Sequence, residues 1–178
     1  MVSFIKKISS KLKSKFYYDY NTSKNVWFRS GGNTSVFCLV YDLNELQIIL
    51  KEINDYPFEI IGVGSNFLIR DRGFNGVILK LGKKFNNIQL YDSLKEVEVG
   101  AGLLDVNLAK YAELNDIKNF EFFSGIPGTI GGAIKMNAGC YGSETKDIVK
   151  NVSIIDKKGS LINLNKDQIN FKYRESNL

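Results

Sequence analysis

Gly125-Ile126-Pro127-Gly128-Thr129-Ile130-Gly131-Gly132-Ala133 puts four glycines and a proline into nine residues. Pro127 suits a first helical position, where a missing N–H costs nothing. The small residues behind it would let a short helix aim free N–H groups at a pyrophosphate. Close helix packing is the alternative use of the same small residues. The stretch opens a longer run, Gly125 to Gly142, which holds six of the chain's 16 glycines. Only 2 prolines occur, so these glycines do not belong to a proline-rich linker or a collagen-like repeat.

A second glycine loop, Gly62-Val63-Gly64-Ser65-Asn66, lies upstream. Missing Cβ atoms let phosphate oxygens approach such a chain. The familiar phosphate motifs nevertheless fail. Phe67 stands where a dinucleotide fingerprint needs glycine or alanine, and the residues that follow read as strand, not helix. Neither loop leads into Lys followed by Ser or Thr, as a P-loop must. Gly64-Ser65-Asn66 offers two backbone donors, a hydroxyl and an amide, a set that fits a tight turn and a ligand loop equally.

Around these loops the pattern is α+β. Thr34 to Val40 reads as a strand, and Asp42 with Glu45 makes a D-x-x-E start for a helix with Leu43, Leu46, Ile49, Leu50 and Ile53 on one side. A buried strand, Phe58 to Val63, should follow, then apolar runs at Phe67 to Ile69 and Val77 to Leu81 separated by the Asp71 to Gly76 turn. Next come Ile88 to Tyr91 and Glu96 to Val99, spaced as an antiparallel pair. A helix from about Leu104 to Leu114 offers Leu104, Leu108, Tyr111 and Ala112 to a core. Val152 to Asp156 and Leu161 to Leu164 flank a glycine turn in a hairpin. Asn165 then reads as the cap of a short helical turn. These readings predict a basic N-terminal segment (1–20), a first subdomain (21–82) and a second (83–178).

The composition excludes several chemistries. The chain has 178 residues and no histidine, which removes Ser-His-Asp and Cys-His nucleophile systems and histidine-ligated metal sites; no metal is expected. Cys38 and Cys140 lack CxxC spacing and could form one disulfide at most, which fits a reducing compartment. Cys140 reads as a small packed residue or a reactive thiol. The net charge of +5 is concentrated in Lys6, Lys7, Lys11, Lys13 and Lys15, and no nucleic-acid recognition motif accompanies it. Phe4, Ile5, Ile8, Leu12 and Phe16 recur there at helical spacing. A docked or solvated amphipathic helix is expected, with membrane-surface or nucleic-acid contact as the alternatives. No signal-peptide core or membrane span is seen.

Five motifs in order, Phe28-Arg29-Ser30-Gly31-Gly32, Gly62 through Asn66, Gly125 through Ala133, Met136 through Gly142 and Tyr173-Arg174-Glu175-Ser176, resemble the UDP-N-acetylenolpyruvoylglucosamine reductase family from about Tyr20 to Leu178. The resemblance implies an FAD-binding fold of the vanillyl-alcohol oxidase and p-cresol methylhydroxylase type, its two subdomains holding the flavin. By that analogy Gly62, Gly64, Ser65 and Asn66 wrap the FAD diphosphate from the first subdomain. Gly125, Ile126, Pro127, Gly128, Thr129 and Gly131 approach it from the second, with Asn137 and Gly139 nearby. Arg174 stands at the position of the family's catalytic arginine, and Tyr173 either supports it or is a buried packing residue.

The family uses NADPH to reduce FAD and passes hydride to the enolpyruvyl group of a UDP-sugar, making UDP-N-acetylmuramate for peptidoglycan in the cytoplasm. Its substrate domain, with a proton-donating serine and a late glutamate, follows the Tyr-Arg-x-Ser motif; this chain stops at Leu178. The expectation is therefore a flavin-binding portion that needs a complementary C-terminal segment for turnover. The alternatives are a non-catalytic flavin- or nucleotide-binding remnant and another flavoprotein oxidoreductase of the same fold.

Overall fold

Strand β2 (Asn33–Val40) buries Thr34, Val36, Cys38 and Val40 on one face and Phe37 on the other, so it needs a partner at each edge and cover on each face. The computed structural model, which describes residues 1–91, 93 and 96–178, supplies both. The order of the first sheet is β1-β2-β4-β3. Strand β1 (Lys15–Asn21) runs antiparallel to β2, with Phe16 opposite Cys38 and Tyr20 opposite Thr34. Strand β4 (Phe74–Leu81) runs parallel to β2 on its other side, and β3 (Phe58–Ile61) parallel to β4. Parallel pairing requires a crossover, which helix α2 (Leu43–Ile53) provides.

Asp42 caps α2, its carboxylate accepting from the Glu45 N–H at 3.0 Å. Glu45 does not complete the expected box. Its carboxylate instead accepts from the Lys13 and Ser14 N–H groups at 2.8 and 2.7 Å and from the Ser14 hydroxyl at 2.6 Å, so this first-turn residue ties down the chain that enters β1. Leu46, Ile49, Leu50 and Ile53 are buried as expected, but Leu43 is exposed. At the first helical position its Cβ tilts toward the N-terminus, past the covered face.

Three further expectations change. The N-terminal helix, α1 (Val2–Ser9), stops well short of Phe16 and buries only Ile5. The residues behind it form β1, where Phe16, Tyr18 and Tyr20 alternate with exposed neighbours; a period of two had been masked by the helical spacing of Leu12 and Phe16. Strand β3 ends at Ile61 and exposes Glu59 and Ile60, because it is the edge strand of the sheet. Phe67 to Ile69 forms no strand. Phe67 and Ile69 pack on the cluster of Val26, Phe37, Ile61 and Ile78 without joining the ladder, and an apolar run reports burial alone.

Met1–Lys84 and Ile155–Leu161 form one unit, Phe85–Ile154 and Ile162–Leu178 the other. In the second, β5 (Ile88–Tyr91) and β6 (Glu96–Val99) pair antiparallel as predicted, with Ile88 opposite Val99. Helix α3 (Asp105–Leu114) turns Leu108 into a core with Leu103, Phe122, Phe123, Ile130, Ala133 and Ala138, and Ala112 is buried as well. Leu104 is partly exposed, and Asp105 is buried where that leucine was expected. Helix α4 (Ile130–Lys135) begins three residues after Pro127 and is capped at Thr129, so Pro127 belongs to the loop and not to the first turn. Strands β7 (Gly139–Cys140) and β8 (Ser143–Glu144) form a small hairpin, and helix α5 (Thr145–Ile148) follows.

Strands β9 (Asn151–Ile155) and β10 (Leu161–Asn165) make the predicted hairpin, followed by the expected turn with reciprocal bonds between Asn165 and Gln168. The Gln47 amide donates to the Gly159 carbonyl in its tip at 2.8 Å. Both cysteines are free thiols, and burial pushes the Cys38 thiol far up. No helix among the described residues is long and apolar enough to cross a membrane.

Candidate functional site

The loop after β3 leaves its donors unspent. Among the described residues none of the N–H groups of Gly62, Val63, Gly64, Ser65 or Asn66 finds a partner in the protein, and only the Gly64 carbonyl is used, accepting from the Trp27 N–H at 3.0 Å. Gly64 is buried with φ +77°, and a Cβ there would overlap the Asn25 carbonyl and lie 2.8 Å from the Val26 Cα. Glycine is required twice over, by the left-handed backbone and by the close approach. Ser65 and Asn66 are exposed. A run of unpartnered N–H groups on a strand-following turn can receive phosphate oxygens.

Beside this loop, within the same unit, Lys24, Asn25, Trp27, Arg29, Val63 and Lys80 line an open cleft of about 890 Å³. Lys80 is half-buried, and burial lowers its pKa. Three cations and an exposed indole (Trp27, 61% exposed) make a surface for an anionic, aromatic ligand. Sequence reasoning quoted Arg29 only within a motif and passed over Lys24 and Lys80. The signal was a lysine inside the otherwise apolar Val77-Ile78-Leu79-Lys80-Leu81 run.

In the second unit the glycine stretch is built differently from its reading. The N–H groups of Ile130 and Gly131 do not point outward; they donate to the Leu103 and Ala101 carbonyls, each at 2.9 Å. Thr129 and Gly132 keep N–H groups without a partner among the described residues. Gly128 is pinned by Asp105, whose N–H donates to the Gly128 carbonyl at 3.2 Å and whose Oδ2 occupies the space that a Gly128 Cβ would need. The Asp105 side chain is fully enclosed and neither oxygen has a partner among the described residues. The α3 N-terminus favours a negative charge by about 0.3–1 kcal/mol, but taking an unpaired carboxylate out of water costs several. Burial wins and raises the carboxyl to about 7.

Asn137, expected to present its amide to a ligand, spends it inside the protein. Its Nδ2 donates to Glu144 at 2.8 Å and to the Lys172 carbonyl at 3.0 Å, while Oδ1 accepts from the Lys146 N–H at 3.0 Å. The residue is buried at φ +41°, a conformation that asparagine tolerates better than most. Asn137→Ala should therefore cost about 2–4 kcal/mol, read as a lower denaturation midpoint; an unchanged midpoint would remove Asn137 as the link between these segments. Gly139 lies in β7, where its carbonyl faces an Arg174 Nη2 at 3.5 Å.

Arg174 itself sits in a tight turn closed by bonds between Lys172 and Glu175, with φ +55°. Its guanidinium carbon lies 5.6 Å from the Tyr173 ring centroid. Tyr173 is 83% exposed, so the buried-packing alternative for it is excluded. Ser176 is buried and donates to the Lys135 carbonyl at 2.8 Å, fixing the far side of the turn. Among the described residues no group of three or more side chains could hold a metal ion.

Comparison with known proteins identifies what this architecture is for. Residues 34–165 match the FAD binding domain family. The chain belongs to that family. FAD is accordingly its cofactor, and the unpartnered N–H groups of the Gly62 to Asn66 loop fit such a ligand. The chain is 43% identical over 168 residues to the UDP-N-acetylenolpyruvoylglucosamine reductase of Rickettsia rickettsii, covering 94% of itself and 56% of that protein. It superposes on the Thermus caldophilus reductase of the same name with TM-score 0.78 at 28% identity, over 94% of this chain and 57% of that one. The 6-hydroxy-D-nicotine oxidase of Arthrobacter nicotinovorans shares the fold at TM-score 0.63 and 17% identity, over 88% and 37%. The reductase resemblance and the vanillyl-alcohol oxidase type fold read from the motifs are thus borne out. The chain spans about half the length of the curated relatives it matches.

Proposed function

We propose that this chain is the flavin-carrying portion of a UDP-N-acetylenolpyruvoylglucosamine reductase, acting in the cytoplasm on a UDP-sugar with NADPH as co-substrate. The unpartnered N–H run from Gly62 to Asn66 carries the reading, because consecutive backbone donors on a glycine turn can converge on one anion. Gly62, Gly64, Ser65 and Asn66 would take diphosphate oxygens in the first unit. Of Gly125, Ile126, Pro127, Gly128, Thr129 and Gly131 in the second, Thr129 would donate its free N–H; the N–H groups of Ile126, Gly128 and Gly131 are held by Phe123, Ile126 and Ala101 carbonyls and Pro127 has none, so these residues would shape the turn. Asn137 and Gly139 act by holding the hairpin beside Arg174.

Bound FAD supplies the hydride chemistry. The protein has charge to manage: an enolpyruvyl double bond accepts hydride only if the negative charge building toward its carboxylate is stabilised. The permanently charged, forked guanidinium of Arg174 would do this.

The visible absorption spectrum of the purified chain, before and after adding FAD, is the test. A bound flavin band is expected. A folded, colourless chain that refuses FAD would end this reading.

A further inference from the structure

We propose that Asp105 is a positioning residue for cofactor binding: its carboxyl, enclosed against Gly128 without a hydrogen-bonding partner, takes up a proton when the FAD diphosphate reaches the Gly128 turn. The inference rests on the reading of Gly125 to Gly131 as a diphosphate loop and adds a residue which that reading does not include. Asp105 holds Gly128 from two sides, through its backbone N–H and through Oδ2. Any substituent on Gly128 would collide with Oδ2, so the carboxyl lies directly against the turn.

Fully enclosed and without a donor, the side chain can persist as a neutral acid but is poorly suited to charge. Burial alone raises its pKa to about 7. The titratable groups on the surrounding elements, Lys110, Tyr111 and Glu113 on α3, Glu121 on the following turn and Lys135 on α4, add nothing to that shift. Near neutrality the free protein therefore holds a mixture of charged and neutral forms. A doubly charged diphosphate at Gly128 is repelled by the first and accepted by the second. Binding then draws a proton from solvent onto the Asp105 carboxylate of those chains that held it charged, a fraction of a proton on average near neutrality that approaches one as pH rises above the free protein's pKa.

The sign follows from linkage. A ligand that selects the protonated form binds more weakly as pH rises through and above the free protein's pKa. The dissociation constant of FAD, followed by flavin fluorescence, should rise about tenfold or more between roughly pH 6 and 8.5 for the parent chain, while Asp105→Asn, neutral at every pH, should change by less than about twofold. Calorimetry near neutral pH in buffers of different ionisation heat should show proton uptake by the parent and none by the variant. A pH-independent parent, or an Asp105→Asn profile as steep as the parent's, would overturn the proposal. If the variant fails to fold, the calorimetric proton count on the parent alone decides. FAD binding without proton uptake sinks the role of Asp105 and leaves the cofactor reading standing; no FAD binding at any pH sinks both.

Discussion

Replacing Gly64 by alanine should destabilise the first unit by about 2–4 kcal/mol and weaken FAD binding severely. The left-handed backbone at this position costs a residue with a Cβ about 1–2 kcal/mol. The overlap with the Asn25 carbonyl adds an overpacking cost of about 1–3. The two terms share a cause, since relieving one by moving the backbone tears the loop from the Trp27 N–H. Trp27 is the only tryptophan, and its own N–H binds the Gly64 carbonyl, so its fluorescence against urea reports this unit directly. A fall in midpoint of roughly 1–2 M is expected. Gly64→Val should be worse, and Ser65→Ala, which keeps every backbone donor on an exposed position, should do little. If Gly64→Ala keeps the parent midpoint and FAD affinity, the loop does not have the geometry described.

With FAD bound, the 178-residue chain alone should reduce little or no enolpyruvyl substrate, and a C-terminal segment corresponding to the uncovered part of its relatives should restore turnover. In the role proposed for it Arg174 would stabilise charge, but the carbon left after hydride transfer would still need a placed acid, whose removal costs ~10²–10⁴-fold. Much of the UDP-sugar would also go unheld. In the reconstituted pair, Arg174→Lys should lower kcat by at least about tenfold, because lysine keeps the charge and loses the planar fork. Substrate-dependent NADPH oxidation measures all three. Turnover by the lone chain equal to that of the pair, or an undiminished Arg174→Lys pair, would contradict the role given to Arg174.

Sequence made β2, β4, β5, β6, α2, α3 and the β9–β10 hairpin legible, because burial on one face leaves a period that composition cannot hide. It misread Lys15–Asn21, where two periods overlap on the same aromatics, and Phe67 to Ile69, where Phe67 and Ile69 pack inward and Leu68 is exposed but no strand pairs with them. At the site, glycine spacing located both loops. It could not show that the Ile130 and Gly131 N–H groups are taken by Leu103 and Ala101, since carbonyl partners leave no mark in side-chain identity. Asn137 was found for its place in a motif, yet its amide holds the protein to itself. Asp105 was missed outright: an acid opening a helix reads as ordinary first-turn chemistry, and only the fold puts it out of water.

The hairpin between β9 and β10 has a consequence for synthesis. Because Ile155–Leu161 belongs with Met1–Lys84, the first unit is not finished when its sheet has left the ribosome. The tip that meets Gln47 emerges only after nearly the whole second unit has been translated. Domains made in strict succession can fold one after another; here the earlier one waits for the later. A nascent chain arrested just after Lys84 should therefore carry a sheet whose α2 flank lacks the Gly159 carbonyl that accepts from Gln47, exposed to proteases until the second half arrives.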